Sequence, residues 1–255
     1  MKKTVQEIKQ WILENDLSEA DLENLKHDSR KGVLDLVRQY ERKLEKKKAK
    51  EIQYFEMMEF ERQARAKGKV KIAGVDEAGR GPLAGPVVAS AVILPEGFYL
   101  EGLNDSKQLS RMQREEFYQT IRTQADIGVG IVTNKEIDQI NIYQSTKLAM
   151  KRAVESLDQE PDYVLVDAME VNQLSCPQES LIKGDERSVS IAAASVIAKV
   201  TRDNIMKELH EFYPDYDFIS NQGYGTKNHL QALDKFGATP YHRVSFSPVK
   251  EQILS

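Results

Sequence analysis

The feature that most constrains this chain is an apolar strand that ends on two acidic residues and continues into a glycine-rich loop. It occupies Lys71 to Leu94 and reads KIAGVDEAGRGPLAGPVVASAVIL. The β-branched run after the loop is typical of a buried strand. Two neighbouring carboxylates, Asp76 and Glu77, repel one another, and burying either is costly. Because a bound divalent cation would resolve both problems, this stretch predicts a functional site.

The remainder of the chain after residue 69 alternates between strand and helix patterns. Strands are predicted at 71–76, 87–94, 127–133 and 163–166. Helices are predicted at 111–124, 135–157 with a break near Asn141, 188–212 and 228–235. This alternation favours a mixed α/β sheet covered by helices.

The first 69 residues are helical in pattern and poor in glycine and proline. Ser18 and Asp21 form a capping-box pattern at the start of one helix. A basic run at 44–50, LEKKKAK, indicates either a solvated helix face or a phosphate-binding patch. We expect residues 1–69 to form a helical N-terminal extension, and residues 66–69 to form a hinge. The apolar stripes of this extension need a partner.

The composition is typical of a soluble globular protein and argues against a membrane or secreted one. Apolar residues make up 40% and charged residues 30% of the 255 residues, which indicates a soluble globular protein. No stretch approaches the roughly 18 consecutive apolar residues of a membrane helix, and the N-terminus lacks the apolar core of a signal peptide. Cys176 is the only cysteine, so an intrachain disulfide and a cysteine zinc site are excluded. We therefore expect a cytoplasmic protein without a membrane partner.

Acidic residues recur at the ends of predicted elements. Asp76 and Glu77 end the first strand, Asp167 ends a later one, and Asp185 precedes a long alanine-rich helix. If the strands of Asp76 and Asp167 are parallel neighbours, their carboxylates converge beyond the sheet edge. An all-oxygen set favours Mg²⁺ or Mn²⁺ over zinc. Clustered carboxylates that hold two such ions are a common solution for phosphodiester hydrolysis. Each acid taken alone is more often a turn or helix-capping residue.

The glycine loop Gly79-Arg80-Gly81 has more than one interpretation. It could be a plain turn, and it matches neither the P-loop nor the dinucleotide fingerprint. It could also contact nucleic acid, since glycines let backbone amides approach a sugar or phosphate and Arg80 adds charge. Lys107, in the sequence DSK, lies in a turn or close to a phosphate, and spacing alone does not decide between the two.

The C-terminal part adds an aromatic residue and two histidines. Tyr224 lies between glycines and is expected to be exposed, as are aromatic residues that stack on bases or sugars. His229 and His242 are each interpreted as structural hydrogen-bonding residues, with a general acid as the alternative. The dipeptide His242-Arg243 indicates packing together with a phosphate contact.

Several segments carry a resemblance when they are taken together and in order. They are VDEAGRGPLAGPVVASAVIL, DSKQLS, VLVDA, KGDERSVSIAAASVIAKVTRD, GYGT followed by His229, and HRVSF. They span about Lys71 to Val249 and resemble the type 2 ribonucleases H of bacteria, the ribonuclease HII family. The GRG form of the glycine loop favours this family over its sister, ribonuclease HIII.

The resemblance implies a ribonuclease H-like α/β fold, with a five-stranded mixed sheet flanked by helices. In this chain an N-terminal helical extension (1–69) would precede a catalytic domain (70–255) that ends in a helical, substrate-contacting segment. It implies cleavage of RNA in RNA–DNA hybrids, and nicking on the 5′ side of single ribonucleotides in duplex DNA, with Mn²⁺ or Mg²⁺ as cofactor and 3′-hydroxyl and 5′-phosphate products. The catalytic and metal-binding carboxylates would be Asp76, Glu77, Asp167 and Asp185.

The resemblance also assigns substrate-binding roles. Gly79, Arg80 and Gly81 would read the ribonucleotide 2′-hydroxyl, which is what separates RNA from DNA. Tyr224 would stack on the sugar beside the RNA–DNA junction, and Lys107 would lie near the backbone. The extension has no counterpart in the minimal catalytic domain, and we expect it to add substrate affinity or to dock on a replication or repair protein.

Two other classes of function are weighed against this one. A catalytically silent hybrid-binding module would not need the intact carboxylate set. Another two-metal phosphoesterase, such as an exonuclease or resolvase, would share the carboxylates but not the GRG loop and the GYGT segment.

Overall fold

The computed structural model describes residues 3–254. The chain divides into two compact units, with the boundary between Tyr54 and Phe55. The predicted hinge at 66–69 therefore lies within the second unit, and the proposed domain boundary at residue 69 stays a prediction. Among the described residues, no helix has both the length and the apolar character needed to cross a membrane.

The first unit is helical. It contains α1 (Val5–Glu14) and α2 (Glu19–Lys26), and α3 begins at Lys31 and continues to Met57. Ser18 accepts a hydrogen bond from the backbone N–H of Asp21, whose side chain accepts one from the N–H of Ser18. The predicted capping box is thus confirmed. The lysines of the basic run, Lys46, Lys47, Lys48 and Lys50, are exposed on α3, as both interpretations of that run require.

The second unit is built on one five-stranded sheet. Its strands are β1 (Ile72–Ala78), β2 (Val87–Ile93), β3 (Asp126–Val132), β4 (Tyr163–Asp167) and β5 (Gln178–Leu181). Their order in the sheet is β3-β2-β1-β4-β5, with β1 central. β1 pairs antiparallel with β2 and parallel with β4, and β4 pairs parallel with β5. The sheet is therefore mixed, as predicted.

The register between β1 and β4 places the two acidic strand ends together. Val75 pairs with Val166, and each is followed directly by an aspartate, Asp76 or Asp167. Because the two strands are parallel, both chains leave the sheet at the same edge. The condition on which the predicted convergence of Asp76 and Asp167 depended, that their strands are parallel neighbours, is therefore met.

Helices surround the sheet. They are α4 (Glu59–Ala66), α5 (Arg111–Gln124), α6 (Asn134–Glu155), α7 (Val189–Phe212), α8 (Phe218–Asn221), α9 (Lys227–Phe236) and α10 (Val249–Leu254). The side chains of Ala73 and Val75 pack in the core on the α6 face. Gly74 points the other way, toward α7, because successive strand residues alternate between faces. A Cβ atom at Gly74 would lie 2.0 Å from the carbonyl carbon of Ser190, so α7 can lie this close only against a glycine.

The sequence pattern predicts the break in helix α6 but does not predict strand β5. The break in α6 occurs at Asn141, where φ is 64°, as predicted. Strand β5, Gln178–Leu181, was not individually predicted, because it is four residues long and mostly polar. This segment forms a strand because it pairs with β4, since it has no apolar pattern of its own.

Candidate active site

A cavity of about 310 Å³ opens at the sheet edge where β1 and β4 end. Its wall brings together residues that lie far apart in the sequence. The residues lining it are Asp76, Glu77, Ala78, Gly79, Arg80, Gly81, Ser106, Lys107, Asp167, Ser195, Lys199, Arg202 and Tyr224. All the predicted site residues except Asp185 are on this wall.

Asp76 is the most deeply buried of the acids. Its Oδ1 accepts a hydrogen bond from the backbone N–H of Glu77 at 2.7 Å, and the nearby hydroxyl of Ser195 on α7 acts with this N–H to lower the pKa of the carboxyl. Burial raises the pKa of Asp76 well above its ordinary value, and the neighbouring carboxylates of Glu77 and Asp167 add to the effect. The site thus concentrates negative charge that these donors do not balance.

One carboxylate oxygen of Glu77 contacts Arg80, and the other is buried. Its Oε1 is 3.2 Å from Nη1 of Arg80, which lowers the pKa of the carboxyl, but burial outweighs this and the net shift is upward. Its Oε2 is buried and has no hydrogen-bond partner. A buried carboxylate oxygen without a donor is costly, and a bound cation would remove that cost.

A hydrogen bond connects Asp167, at the end of β4, to the turn that carries Asp185. Oδ1 of Asp167 accepts a hydrogen bond from the backbone N–H of Gly184 at 2.6 Å. Asp185 follows in a short 3₁₀ turn, Gly184–Glu186, and is buried. Burial raises the pKa of both carboxyls, and for Asp185 the charges of Asp105 and Asp167 raise it further.

Lys107 connects Asp185 to the cavity. Its Nζ lies 3.3 Å from Oδ2 of Asp185 and 3.5 Å from Oδ1 of Asp105. Burial by itself would lower the pKa of Lys107, but the surrounding carboxylates outweigh it and the pKa is raised. The ammonium group of Lys107 therefore supplies positive charge beside Asp185, while its side chain remains 76% exposed.

The carboxylates are oxygen donors of the kind a hard divalent cation binds, and three of them already contact protein donors. Within residues 3–254, no group of three or more His, Cys, Asp or Glu side chains is gathered into a metal-binding arrangement. Arg80, Gly184 and Lys107 occupy the oxygens of Glu77, Asp167 and Asp185, respectively. The all-oxygen donor set and the unpartnered Oε2 of Glu77 nevertheless fit Mg²⁺ or Mn²⁺. The metal-ligand roles stay predictions.

The glycine loop after β1 is packed against buried Arg202 of α7. Gly79 has φ of 96°, and a Cβ atom there would lie 2.0 Å from Nε of Arg202. A side chain at this position is therefore excluded both by backbone conformation and by contact. Arg202 itself donates to the carbonyl oxygens of Ala84, Pro86 and Gln222, at 3.2, 3.0 and 3.0 Å. It joins the glycine loop to the segment that carries Tyr224.

Arg243 holds the same loop from the other side. It is fully buried, and its guanidinium donates to the carbonyl oxygens of Gly79, Arg80 and Gly85 at 2.5, 2.9 and 3.0 Å. The expectation that Arg243 contacts a phosphate is wrong in this structure, because its donors are taken up by backbone carbonyls. Burial lowers its pKa to about 9, so it remains charged at neutral pH. Three carbonyl dipoles offset the cost of burying this charge.

Tyr224 lies beside the glycine loop. Its side chain is 49% exposed, and a Cβ atom at Gly81 would lie 3.3 Å from its Cε1. The backbone N–H of Leu83 donates to the carbonyl of Gly223 at 2.8 Å and fixes the two loops together. An exposed aromatic ring and a glycine turn therefore lie side by side in the cavity lining.

The two histidines form a buried hydrogen-bonded pair behind Tyr224. The N–H of Thr239 donates to Nδ1 of His242, so the proton of a neutral His242 is on Nε2, 2.9 Å from Nε2 of His229. His229 then carries its proton on Nδ1 and donates to the carbonyl of Tyr224 at 2.8 Å. Burial lowers the pKa of both, to about 4 for His242. Both imidazoles are neutral structural groups here.

Several cavity residues were not picked out from the sequence. The hydroxyls of Ser106 and Ser195 lie 2.9 Å apart, and Ser195, Lys199 and Arg202 all reach the cavity from α7. Their spacing of four and three residues places them on one helix face. Polar residues at that spacing, starting within the alanine-rich first half of the helix, are the signal that could have identified them.

The sequence is similar to a family of known proteins over most of its length. The family model described as Ribonuclease HII matches residues 73–249, and that described as Ribonuclease HII N-terminal domain matches residues 4–65. A ribonuclease HII from Enterococcus faecalis is 54% identical over 255 residues, which is 99% of each chain. One from Listeria monocytogenes is 55% identical over 228 residues, covering 89% of this chain and 87% of that one.

Solved structures agree with the observed fold. Ribonuclease H2 from Pyrococcus horikoshii superposes with a TM-score of 0.59 at 28% identity, covering 71% of this chain and 96% of that one. Ribonuclease HII from Archaeoglobus fulgidus, solved in complex with PCNA, gives a TM-score of 0.59 at 26% identity, covering 70% and 96%. The ribonuclease H-like fold predicted from the sequence is confirmed.

Proposed function

The chain belongs to the ribonuclease HII family, and on this basis we propose that it cleaves RNA within RNA–DNA hybrids and nicks duplex DNA on the 5′ side of a single embedded ribonucleotide. As a member of this family it is a metal-dependent endoribonuclease, hence a hydrolase. The substrate form, the position of the cut and the two-metal mechanism are our proposals.

One observation carries the proposal. Asp76 and Asp167 leave adjacent parallel strands into a cavity that is also lined by Gly81 and Tyr224, which lie next to each other. The first pair supplies the oxygen ligands that phosphodiester hydrolysis requires. The second pair brings a backbone turn and an exposed aromatic ring side by side, a surface on which a sugar can pack. Together the two pairs support a cutting site beside a sugar-recognition site.

The four carboxylates are proposed to bind two Mn²⁺ or Mg²⁺ ions, Asp76 and Glu77 from β1, Asp167 from β4 and Asp185 from the following turn. Such ions, when bound, lower the pKa of a coordinated water and stabilise the leaving oxygen. Asp76 has the strongest reason to take part, because its buried charge is the least balanced. Glu77 offers an oxygen that no protein donor uses.

The residues of the glycine loop are proposed to sense the ribonucleotide 2′-hydroxyl. Arg243 holds the carbonyl oxygens of Gly79 and Arg80, and in a trans peptide the N–H of the next residue points the opposite way. The N–H groups of Arg80 and Gly81 therefore point away from Arg243 and serve as donors to a sugar hydroxyl. Because every ribonucleotide carries this hydroxyl, such recognition needs no base contact.

The other predicted contacts supply charge and stacking. Tyr224 stacks on the sugar beside the junction, and Lys107, largely exposed, reaches the phosphate backbone. The ion pair of Arg80 with Glu77 keeps the arginine at the cavity mouth, where it approaches the same backbone. These contacts hold the strand in register with the carboxylates, which is where positioning contributes most to rate.

The N-terminal unit is proposed to add substrate affinity or to bind a replication or repair protein in the cytoplasm. The exposed lysines of the basic run on α3 support the first role. Removal of residues 3–54, which form their own compact unit, tests it. The truncated protein should bind a hybrid more weakly, with a shallower dependence of affinity on salt. Unchanged affinity and salt slope would rule out a nucleic-acid contact by this unit.

The proposed products are tested by mapping cleavage of a long RNA–DNA hybrid labelled on the RNA strand. We expect internal cuts that leave a 3′-hydroxyl, which a polymerase extends without further treatment, and a 5′-phosphate, which a ligase accepts. Cutting only from an end would favour an exonuclease. Binding of the hybrid without any cut would favour the silent binding module.

A further inference from the structure

A buried carboxylate outside the cavity contacts the segment that carries Asp185. Glu61 lies on α4, and only 6% of it is exposed. Its Oε1 accepts hydrogen bonds from the hydroxyl of Ser188 at 2.6 Å, from the N–H of Ser190 at 3.1 Å and from the hydroxyl of Ser190. Its Oε2 is buried without a hydrogen-bond partner. A glutamate is rarely buried to this extent, so its position calls for a physical reason.

The contact is made at the first residue of a long helix. Ser188 is the N-cap of α7, and its side chain accepts from the N–H of Ile191 at 3.2 Å. Glu61 therefore fixes the hydroxyl that caps the helix. Unpaired N–H groups at a helix start carry partial positive charge, which stabilises a nearby carboxylate. This explains how the charge of Glu61 is tolerated in the interior.

From the cap, a short path leads to the acids of the cavity. The N–H of Ser188 donates to the carbonyl of Gly184 at 2.8 Å, and the N–H of Gly184 donates to Oδ1 of Asp167 at 2.6 Å. Asp185 lies inside this loop of hydrogen bonds. Gly184 is packed closely against α7, since a Cβ atom there would lie 2.6 Å from Cδ1 of Ile191. A displacement of the cap would therefore be felt at Asp185.

Two further contacts hold the same segment against α4. The guanidinium of Arg187 lies 5.0 Å from the ring centre of Phe60. Ala64, one turn beyond Glu61, packs with Leu181 and Ile191, which lie on either side of the turn. Helix α4 thus contacts the chain on both sides of the Asp185 turn, and Glu61 is its polar contact.

We infer that Glu61 is a positioning residue that sets the place of the Asp185 carboxylate for binding a divalent cation. This rests on the proposed role of Asp185 as a metal ligand. Glu61 touches neither substrate nor ion, and it acts through Ser188 and the 3₁₀ turn. Outer contacts of this kind commonly change metal affinity when they are removed.

The test uses the full-length chain with Glu61→Gln, which keeps the shape of the side chain, and Glu59→Gln as its matched control. Glu59 is an exposed acid on the same helix that contacts Arg62 and Gln63, not α7. Equilibrium binding of Mn²⁺ is measured by electron paramagnetic resonance, and amide hydrogen exchange is measured at residues 184–188. We expect Glu61→Gln to weaken Mn²⁺ binding by on the order of tenfold and to speed exchange in that segment. Glu59→Gln should resemble the wild type in both.

Wild-type Mn²⁺ affinity in Glu61→Gln, with only a loss of thermal stability, would overturn the inference and leave Glu61 as a helix-capping contact. Equal weakening by both variants would also overturn it, because the effect would then come from charge alone. If Glu61→Gln does not fold, Ser190→Ala, which removes a single donor to Glu61, decides in the same way. Failure of the proposed function is recognised separately: in that case Asp185→Asn binds Mn²⁺ like the wild type.

Discussion

Arg243 and Gly79 are joined by a 2.5 Å hydrogen bond between the arginine Nη2 and the glycine carbonyl oxygen, although they lie at opposite ends of the catalytic sequence. The same guanidinium reaches the carbonyl of Arg80. The shape of the proposed sugar-sensing loop thus depends on a residue that no substrate can touch. A buried cation, not the glycines alone, sets the direction of the loop N–H groups.

Arg243→Lys should therefore damage both stability and cutting. An ammonium group on a single stem cannot donate to three carbonyls in one plane. We expect a loss of about 2–4 kcal/mol of unfolding free energy and a fall of roughly tenfold to a hundredfold in single-turnover cleavage at a ribonucleotide. Arg152→Lys is the control, because Arg152 also donates to a backbone carbonyl, that of Ile131, but outside the cavity. Wild-type cleavage in Arg243→Lys would show that the loop does not need this anchor.

Tyr224→Ala should weaken cleavage at an RNA–DNA junction. If the ring stacks on the sugar, its removal costs about 1–3 kcal/mol, measured as the loss in kcat/KM. Tyr143→Ala serves as the control, since Tyr143 is exposed to the same degree, 48% against 49%, but lies on α6. An unaltered rate on a single-ribonucleotide substrate would count against stacking.

Asp76→Asn should abolish turnover while hybrid binding persists, because it removes a metal ligand and leaves the glycine loop in place. The same change should stabilise the metal-free protein by about 0.5–2 kcal/mol, since it relieves the buried charge that raises the pKa of Asp76. Urea unfolding in EDTA measures this gain, with Asp126→Asn on β3 as the control. Measurable wild-type turnover in Asp76→Asn would remove the metal assignment.

The histidine pair predicts a pH dependence of stability. The fold holds His242 neutral, with a pKa of about 4 against an ordinary value of 6.5. As pH falls from about 6.5 to 4, the unfolded chain therefore takes up a proton that the folded chain does not, and stability falls by at most about 1.4 kcal/mol per pH unit for this site. The raised pKa values of the cavity carboxyls act in the opposite sense. The comparison with His242→Asn isolates the histidine.

Urea unfolding at pH 7.5 and pH 5 measures this effect. Asn at position 242 can still accept from the N–H of Thr239, as His242 does, but does not titrate. The wild type should lose more stability than the variant between the two pH values. Equal losses would mean that the pair is not held neutral.

The sequence predicted the elements whose patterns are local. The helix at 111–124, the break at Asn141 and the capping box at Ser18 all follow from periodicity or cap chemistry. These local features needed no knowledge of distant contacts. The convergence of Asp76 with Asp167 was predicted only on the condition that their strands are parallel neighbours, and the structure supplies that pairing.

The sequence could not predict the burial of Arg243 and Glu61, because each is buried by contacts with residues far away in the chain. Arg243 resembles a surface cation in a polar tail, and its burial becomes visible only when the carbonyls of residues 79–85 surround it. Glu61 lies in a charged helical stretch, where nothing marks it as the acid that faces α7. Long-range burial of a charge leaves no periodic signal, because its compensating partners come from other elements.

The most direct test of the account is cleavage of two duplexes that differ by one oxygen atom. One DNA duplex carries a single ribonucleotide, and the other carries the matching deoxynucleotide. With Mn²⁺ or Mg²⁺, we expect one nick on the 5′ side of the ribonucleotide, no cut in the all-DNA duplex and no cut of either in EDTA. Equal cleavage of both duplexes, or cleavage of neither in the presence of metal, would contradict it.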